Sequence, residues 1–211
     1  MPRSHRVADG ECLSSIAYQY GFFPGTLWDA PENAALRRQR ANPNVLRAGD
    51  VVTIPDPRVA SSECATDERH VFRRKGVPER LRFQFLLAGE PRASEPYELE
   101  VDGEVLASGA NTEDDGRIDH WIRPDARAAT VRFLETQEAY FFALGRLDPV
   151  DDVPGVQARL KSLGFFLGEP DGADSEALRR ALAAYQVERG LEPTGEADAR
   201  TRAALVADHG T

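Results

Sequence analysis

Histidine and cysteine are scarce in this chain. Four histidines and two cysteines are spread over 211 residues. Cys12 and Cys64 cannot build a disulfide framework, nor a four-ligand zinc site unaided. One bridge between them and two free thiols both fit the count. His5, His70, His120 and His209 fall in different segments, and no HExxH pair is present, so zinc peptidase chemistry has no ligand set to start from. Neither cysteine lies in a histidine-rich stretch, as a cysteine transpeptidase would need, and no serine sits in a nucleophile elbow. Positive charge is also short. Lys and Arg number 26 against 35 Asp and Glu, leaving a net charge of -9 and a pI near 5.0. Such a chain repels phosphate backbones and anionic lipid, so nucleic acid and membrane surfaces are poor partners. No apolar run is long enough to span a bilayer, and "MPRSHRVADGEC" lacks the apolar stretch of a secretory leader. These absences imply cytoplasmic synthesis, no membrane insertion, and delivery by a secretion machine if the target lies in the periplasm or wall.

What is present suits two or three globular domains. Hydrophobic residues make up 41% and charged residues 29%. Periodic apolar residues give way to Pro, Ser, Ala and Asp in "IPDPRVASSECATDE" and again in "GRLDPVDDVPG". The expected division is a first domain at 1–57, a linker at 58–68, a second domain at 69–146 and a third at 148–211. The expected class is multidomain α+β.

In the first segment a strand is expected at Arg6–Ala8. Leu13, Ile16, Ala17 and Tyr20 then follow at helical spacing, and Gly21 stops the helix. A second helix is expected from Ala34 to Arg40. "NPN" breaks it, and Val52 and Ile54 alternate in a returning strand. Val7, Gly10, Glu11, Leu13, Ile16, Ala17, Tyr20 and Gly21, with Asn42, Pro43, Leu46, Gly49, Asp50, Ile54 and Pro55, resemble the LysM domain, a small glycan-binding module. The resemblance covers roughly the first quarter of the chain. It implies a βααβ fold with N-acetylated glycan held between two loops. By matching position these are Gly10, Glu11, Cys12 and Leu13, then Asn42, Pro43, Asn44, Val45 and Leu46. Backbone amides and carbonyls in such loops can pair with acetamido groups. Gly10 and Asn42 could equally serve only as turn formers, and Leu13 and Leu46 as core. "FFPGTLWDAPENAALRRQR" is longer than the family's usual middle, and its Trp28 could stack on a sugar or anchor the insertion.

The second segment changes period. Leu81, Phe83, Phe85 and Leu87 alternate, as do Tyr97, Leu99 and Val101, then Ile118 and His120, Val131 and Phe133, and Tyr140, Phe142 and Leu144. Asp102-Gly103 and Asp115-Gly116 are hairpin signals. An antiparallel β-sandwich is expected. "PYELEVDGEVLASGANTEDDGRIDHWI" is similar to small immunoglobulin-like or transthyretin-like modules, and to accessory proteins of bacterial contractile injection machines. "NTEDDGRID" has the alternation of half a calcium loop, but Ile122 stands where the closing glutamate belongs, so a polar turn is expected. His120 and Trp121 read as neighbours on opposite faces of a strand. The basic stretch "RHVFRRKG", with Arg69, Arg73, Arg74 and Lys75, reads as a solvated edge or a contact for acidic groups.

The third segment is helical. Val156, Leu160 and Leu163 share one face, Leu178, Leu182 and Tyr185 a second, and Thr201, Ala204 and Leu205 a third. "EPDGADSEALRRAL" and "EPTGEADARTRAAL" align without gaps. Each is a Pro-x-Gly turn, a candidate N-cap (Ser175 or Asp198) and a helix. Val156, Gln157, Leu160, Leu163, Gly164, Asp171, Gly172, Ala181, Tyr185, Gln186, Gly190, Leu191, Gly195, Thr201 and Leu205 resemble the peptidoglycan-binding domain 1 family over nearly the last third of the chain. That implies a three-helix module with a second binding site near Asp171, Gly172, Tyr185 and Gln186. Asp174 stands where the family has a glycine.

The expectation for the whole chain is a non-catalytic adaptor that binds peptidoglycan through N-acetylglucosamine-containing glycan, with no catalytic residue, metal or cofactor. The alternative is a docking component or cargo adaptor of a type VI secretion or phage-tail-like apparatus, its wall modules turned to contacts with spike or tail proteins.

Overall fold

The computed structural model describes residues 2–57, 63, 65–71 and 79–210. Cys64, and Arg73, Arg74 and Lys75 of the basic stretch, lie outside them, as does any bridge from Cys12. The described residues form helices and antiparallel sheets around three separate apolar cores.

The N-terminal unit is closed by strand β1 (Arg3–Arg6), paired antiparallel with β2 (Val51–Ile54), Arg3 opposite Ile54 and Arg6 opposite Val51. The first strand ends earlier than its sequence implies. Val7 leaves the ladder to bury its side chain, while its N–H bonds Asp50 O at 2.8 Å and its carbonyl takes Gly49 N at 2.7 Å. Helix α1 (Leu13–Tyr20) turns Leu13, Ile16 and Ala17 inward, and Gly21 ends it in the left-handed region at φ 76°. The insertion is not a loop. Pro24, suited to a first helical turn, opens α2 (Pro24–Trp28), and a 3₁₀ turn (Pro31–Asn33) leads into α3 (Ala34–Gln39). Leu27 is fully buried, and Trp28 and Phe22 pack against the same core, which makes Trp28 an anchor of the insertion. Asn33 ties it down. Its amide nitrogen donates to Leu27 O and Thr53 O, each at 2.8 Å, and its oxygen accepts Thr53 N at 2.8 Å.

Among the described residues the middle unit packs a four-stranded sheet against a two-stranded one, with a short hairpin beside them. β6 (Pro96–Val101), β7 (Glu104–Asn111), β9 (Ala128–Phe133) and β10 (Ala139–Ala143) form one sheet in the order β10-β9-β6-β7, while β3 (Glu79–Gln84) pairs with β8 (Arg117–Ile122). Leu81, Phe85 and Ile118 from one layer meet Tyr97, Leu99, Val131 and Phe133 from the other. The Phe83 and Phe142 rings stack across it at 3.9 Å. Two sequence signals resolve differently. The alternation through Leu87 stops at Phe85, because the chain turns into a short hairpin, β4 (Leu86–Leu87) with β5 (Glu90–Pro91), whose leucines are exposed. Asp102-Gly103 does join a paired hairpin, but Asp115-Gly116 carries the chain from one sheet to the other. Gly116 sits at φ 77° with its missing Cβ position 2.4 Å from Phe85 O, so the crossing packs tightly on that corner. Asp115 accepts from Arg117 N and pairs with the Arg117 guanidinium, a polar turn as expected.

Arg92, only 3% exposed, locks the corner before β6. Its guanidinium reaches Glu95 and Glu138 and lies 3.7 Å over the Phe133 ring. His120 points inward to bond the Tyr97 hydroxyl at 2.6 Å, while Trp121 stays exposed under the Arg80 guanidinium.

The C-terminal unit has three helices, α4 (Val153–Ser162), α5 (Glu176–Glu188) and α6 (Ala199–His209). Leu160, Tyr185 and Leu205, one from each, are fully buried. Leu178 N bonds Ser175 Oγ at 3.2 Å and Thr201 N bonds Asp198 Oδ1 at 2.7 Å, so both repeated caps form. Arg159, buried in α4, donates to Asp148 O at 2.9 Å and so fixes the segment before the helix to its flank.

Candidate functional site

The two candidate loops of the N-terminal unit meet. Leu13 N donates to Pro43 O at 3.2 Å, and Ser14 Oγ donates to Asn44 Oδ1 at 3.0 Å. The second loop holds its own shape, with Asn42 Oδ1 accepting from Asn44 N at 2.8 Å and Asn42 O from Val45 N at 3.1 Å. The nine residues then divide. Leu13, Val45 and Leu46 are buried, and Leu13 and Leu46 belong to the core. Their side chains support the loops and do not face a ligand. Gly10, Cys12, Asn42 and Pro43 are half-buried and Asn44 is exposed. These five supply the accessible rim.

Glu11 is committed internally. Its carboxylate accepts Ala8 N at 2.8 Å and contacts His5 Nε2 at 2.7 Å, while His5 Nδ1 contacts the Tyr20 hydroxyl at 3.1 Å. Burial pushes the carboxyl pKa up, but the Ala8 N–H and His5 together outweigh it and hold it below the usual 4.5. Across the unit, Asp50 behaves alike. Burial raises it, yet Arg40, the Arg47 N–H and Arg47 charge leave it below 3.8.

The Pro-x-Gly turns of the C-terminal unit are each read by a buried glutamine. Gln157 accepts Gly172 N at 2.8 Å and donates to Asp171 Oδ1 at 2.8 Å and to Ala173 O. Gln186 accepts Gly195 N at 2.9 Å and donates to Glu196 O and to the Thr194 and Thr201 hydroxyls. Both side chains are fully buried with oxygen and nitrogen partnered. Of the second candidate site, Gln186 is therefore a turn clamp. Tyr185 is also buried, its hydroxyl donating to Asp208 at 2.6 Å; burial, then Asp208, pushes its pKa up to about 12. Asp171 and Gly172 are exposed. The Ala173 N–H, then Gln157, holds Asp171 below its usual 3.8. The four residues do not form one face. The repeat contained the missing signal, since a glutamine in a helix precedes each Pro-x-Gly turn. Leu167, three residues before Pro170 of the first turn, is almost wholly exposed at 96%.

Among the described residues no group of three or more His, Cys, Asp or Glu is placed to hold a metal ion, and no helix is long and apolar enough to cross a membrane.

Residues 149–205 match the model of the family described as "Putative peptidoglycan binding domain". The match falls on the C-terminal three-helix unit. Over 48 residues the chain is 54% identical to the localization factor PodJL of Caulobacter vibrioides, in two strains. The match takes in 22% of this chain and 5% of that protein. No solved structure matches the chain.

Proposed function

We propose that this chain is a non-catalytic adaptor that holds peptidoglycan at two places. One is the C-terminal three-helix unit. The other is the LysM-like pair of loops at Gly10–Leu13 and Asn42–Leu46. The observation that carries the reading is the family match over 149–205, laid on a helical unit whose turns are held rigid from inside. The half-buried Gly10, Cys12, Asn42 and Pro43, beside an exposed Asn44, offer backbone and amide groups suited to an acetamido ligand. Two weak sites on one chain would gain from effective concentration. The partial likeness to a protein named a localization factor accords with an anchoring role.

Purified sacculi test the proposal. Full-length protein should pellet with them, and Asn42→Ala, which removes the acceptor for Asn44 N, should weaken pelleting. Protein that stays in the supernatant would sink the reading, and muropeptide release would mark an enzyme instead.

A second reading has one observation in its favour. The candidate polar side chains of Tyr185 and Gln186 are consumed internally while Leu167 protrudes, which suits a protein contact better than a sugar contact. In that reading the modules dock on spike or tail proteins of a contractile injection apparatus. Affinity purification from the native host that yields such proteins, with no sacculus binding, would favour it.

A further inference from the structure

The first candidate loop does not face open solvent along its length. The carbonyl oxygen of Gly10 accepts a hydrogen bond from the guanidinium of Arg127, which stands just before β9 in the middle unit. Gly145, two residues past β10, lies against the same carbonyl. Its φ is 72°, and a Cβ there would fall 2.8 Å from Gly10 O, so the approach needs glycine. Arg146 follows, with its side chain over Gly10 and its guanidinium 3.8 Å from Asp9.

The second loop is fastened too. Arg47, next after Leu46, places Nε 2.9 Å from Asp152 Oδ2, and its other nitrogen bonds the second carboxylate oxygen. Asp152 is the residue before α4. On the outer side of α1, the Arg123 guanidinium lies 5.9 Å over the Tyr18 ring. Contacts from the rest of the chain thus reach the Gly10 end of the first loop and the residue that follows the second.

The chemistry at Gly10 makes this more than packing. A carbonyl exposed in a tight turn is an acceptor that an acetamido N–H requires. Here a cationic donor already uses it, and Gly145 shields it. We infer that docking of the middle unit and of residues 145–152 competes with saccharide for the groove between these loops, so that the assembled chain rests in a low-affinity state. The inference rests on the glycan reading proposed above. The charged contacts are surface-exposed, so each is weak alone and salt screens it. The closure is therefore reversible. If the docked form outnumbers the open one by about ten to one, apparent affinity is reduced about tenfold.

Titration calorimetry of the full chain with an N-acetylglucosamine oligomer tests this, using wild type, Arg127→Ala, Arg47→Ala and the double variant. The backbone N–H of Arg127 bonds Asp102 and is kept in the alanine variant, and circular dichroism checks that each variant folds. Each single variant should bind several-fold tighter, and the double variant tightest. Added potassium chloride should tighten wild type, and tighten the double variant less, since the Arg146–Asp9 pair remains to be screened there. Weaker binding in Arg127→Ala would overturn the inference by making Arg127 a ligand contact. Equal binding in all four proteins would overturn it while leaving the glycan reading intact. If no variant binds the oligomer under any salt condition, the groove's glycan reading falls and the competition with it.

Discussion

The side-chain oxygen of Gln186 accepts the backbone N–H of Gly195, just as that of Gln157 accepts the N–H of Gly172. One device is used twice. In each copy a buried amide from one helix dictates the path of the turn that starts the next helix. A turn held this way gives up little conformational entropy on binding a ligand, which helps a small module hold a shallow target.

Gln186→Leu keeps the volume and removes the partners. It leaves the buried Gly195 N–H unsatisfied, which costs about 1–3 kcal/mol. Urea unfolding of the full chain, followed by helical circular dichroism, should show a lower midpoint. Gln157→Leu should lower it less, because Gly172 is exposed and its N–H can turn to water. A midpoint unchanged in both variants would show that the clamps contribute nothing.

Acid should weaken the N-terminal unit through two carboxylates. Glu11 and Asp50 have folded pKa values below their ordinary 4.5 and 3.8. A depressed folded pKa contributes stability that is present above the unfolded value and lost as pH falls through the folded one. The loss should therefore begin near pH 4.5 for Glu11 and near 3.8 for Asp50, and continue below. Glu11→Gln with Asp50→Asn should be less stable at neutral pH and flatter across this acid range. A double variant as steep as wild type would refute the assignment.

Tyr185 should ionise late. Its folded pKa of about 12 lies above the ordinary 10, so its contribution is complete below pH 10 and lost as pH rises through the folded value. The tyrosinate absorbance difference between wild type and Tyr185→Phe should rise near pH 12. A rise near pH 10 would mean that the hydroxyl is not held as described.

Cys12 is a free, half-buried thiol at the start of α1, inside the first candidate loop. In a Cys64→Ser background, alkylation with a bulky maleimide should abolish oligomer binding at the groove, and a saturating oligomer should slow the labelling. Labelling that leaves affinity unchanged would move the ligand away from these loops.

What the sequence showed and hid follows physical range. Helix caps and apolar periods are local, so Ser175, Asp198, α1 and the paired β6–β7 hairpin were legible. Contacts that join distant positions were not legible. Asn33 reaching Thr53, Arg92 reaching Glu138 and Arg127 reaching Gly10 have no local signature, because any exposed-looking polar residue could make them. Asp115-Gly116 misled for a related reason. The dipeptide specifies a tight turn but not which sheet receives the next strand. In the candidate sites, apolar residues such as Leu13 and Leu46 were named by position, yet burial assigns them to the core.

The β1–β2 pairing has a mechanical side. Its outermost pair joins Arg3 to Ile54, so the chain enters and leaves the N-terminal unit at one end of the same short ladder. Tension drawn through these neighbours loads that pair alone, then Ser4 with Thr53, then His5 with Val52. The ladder opens like a zipper, one rung at a time, at far lower force than a ladder sheared along its length.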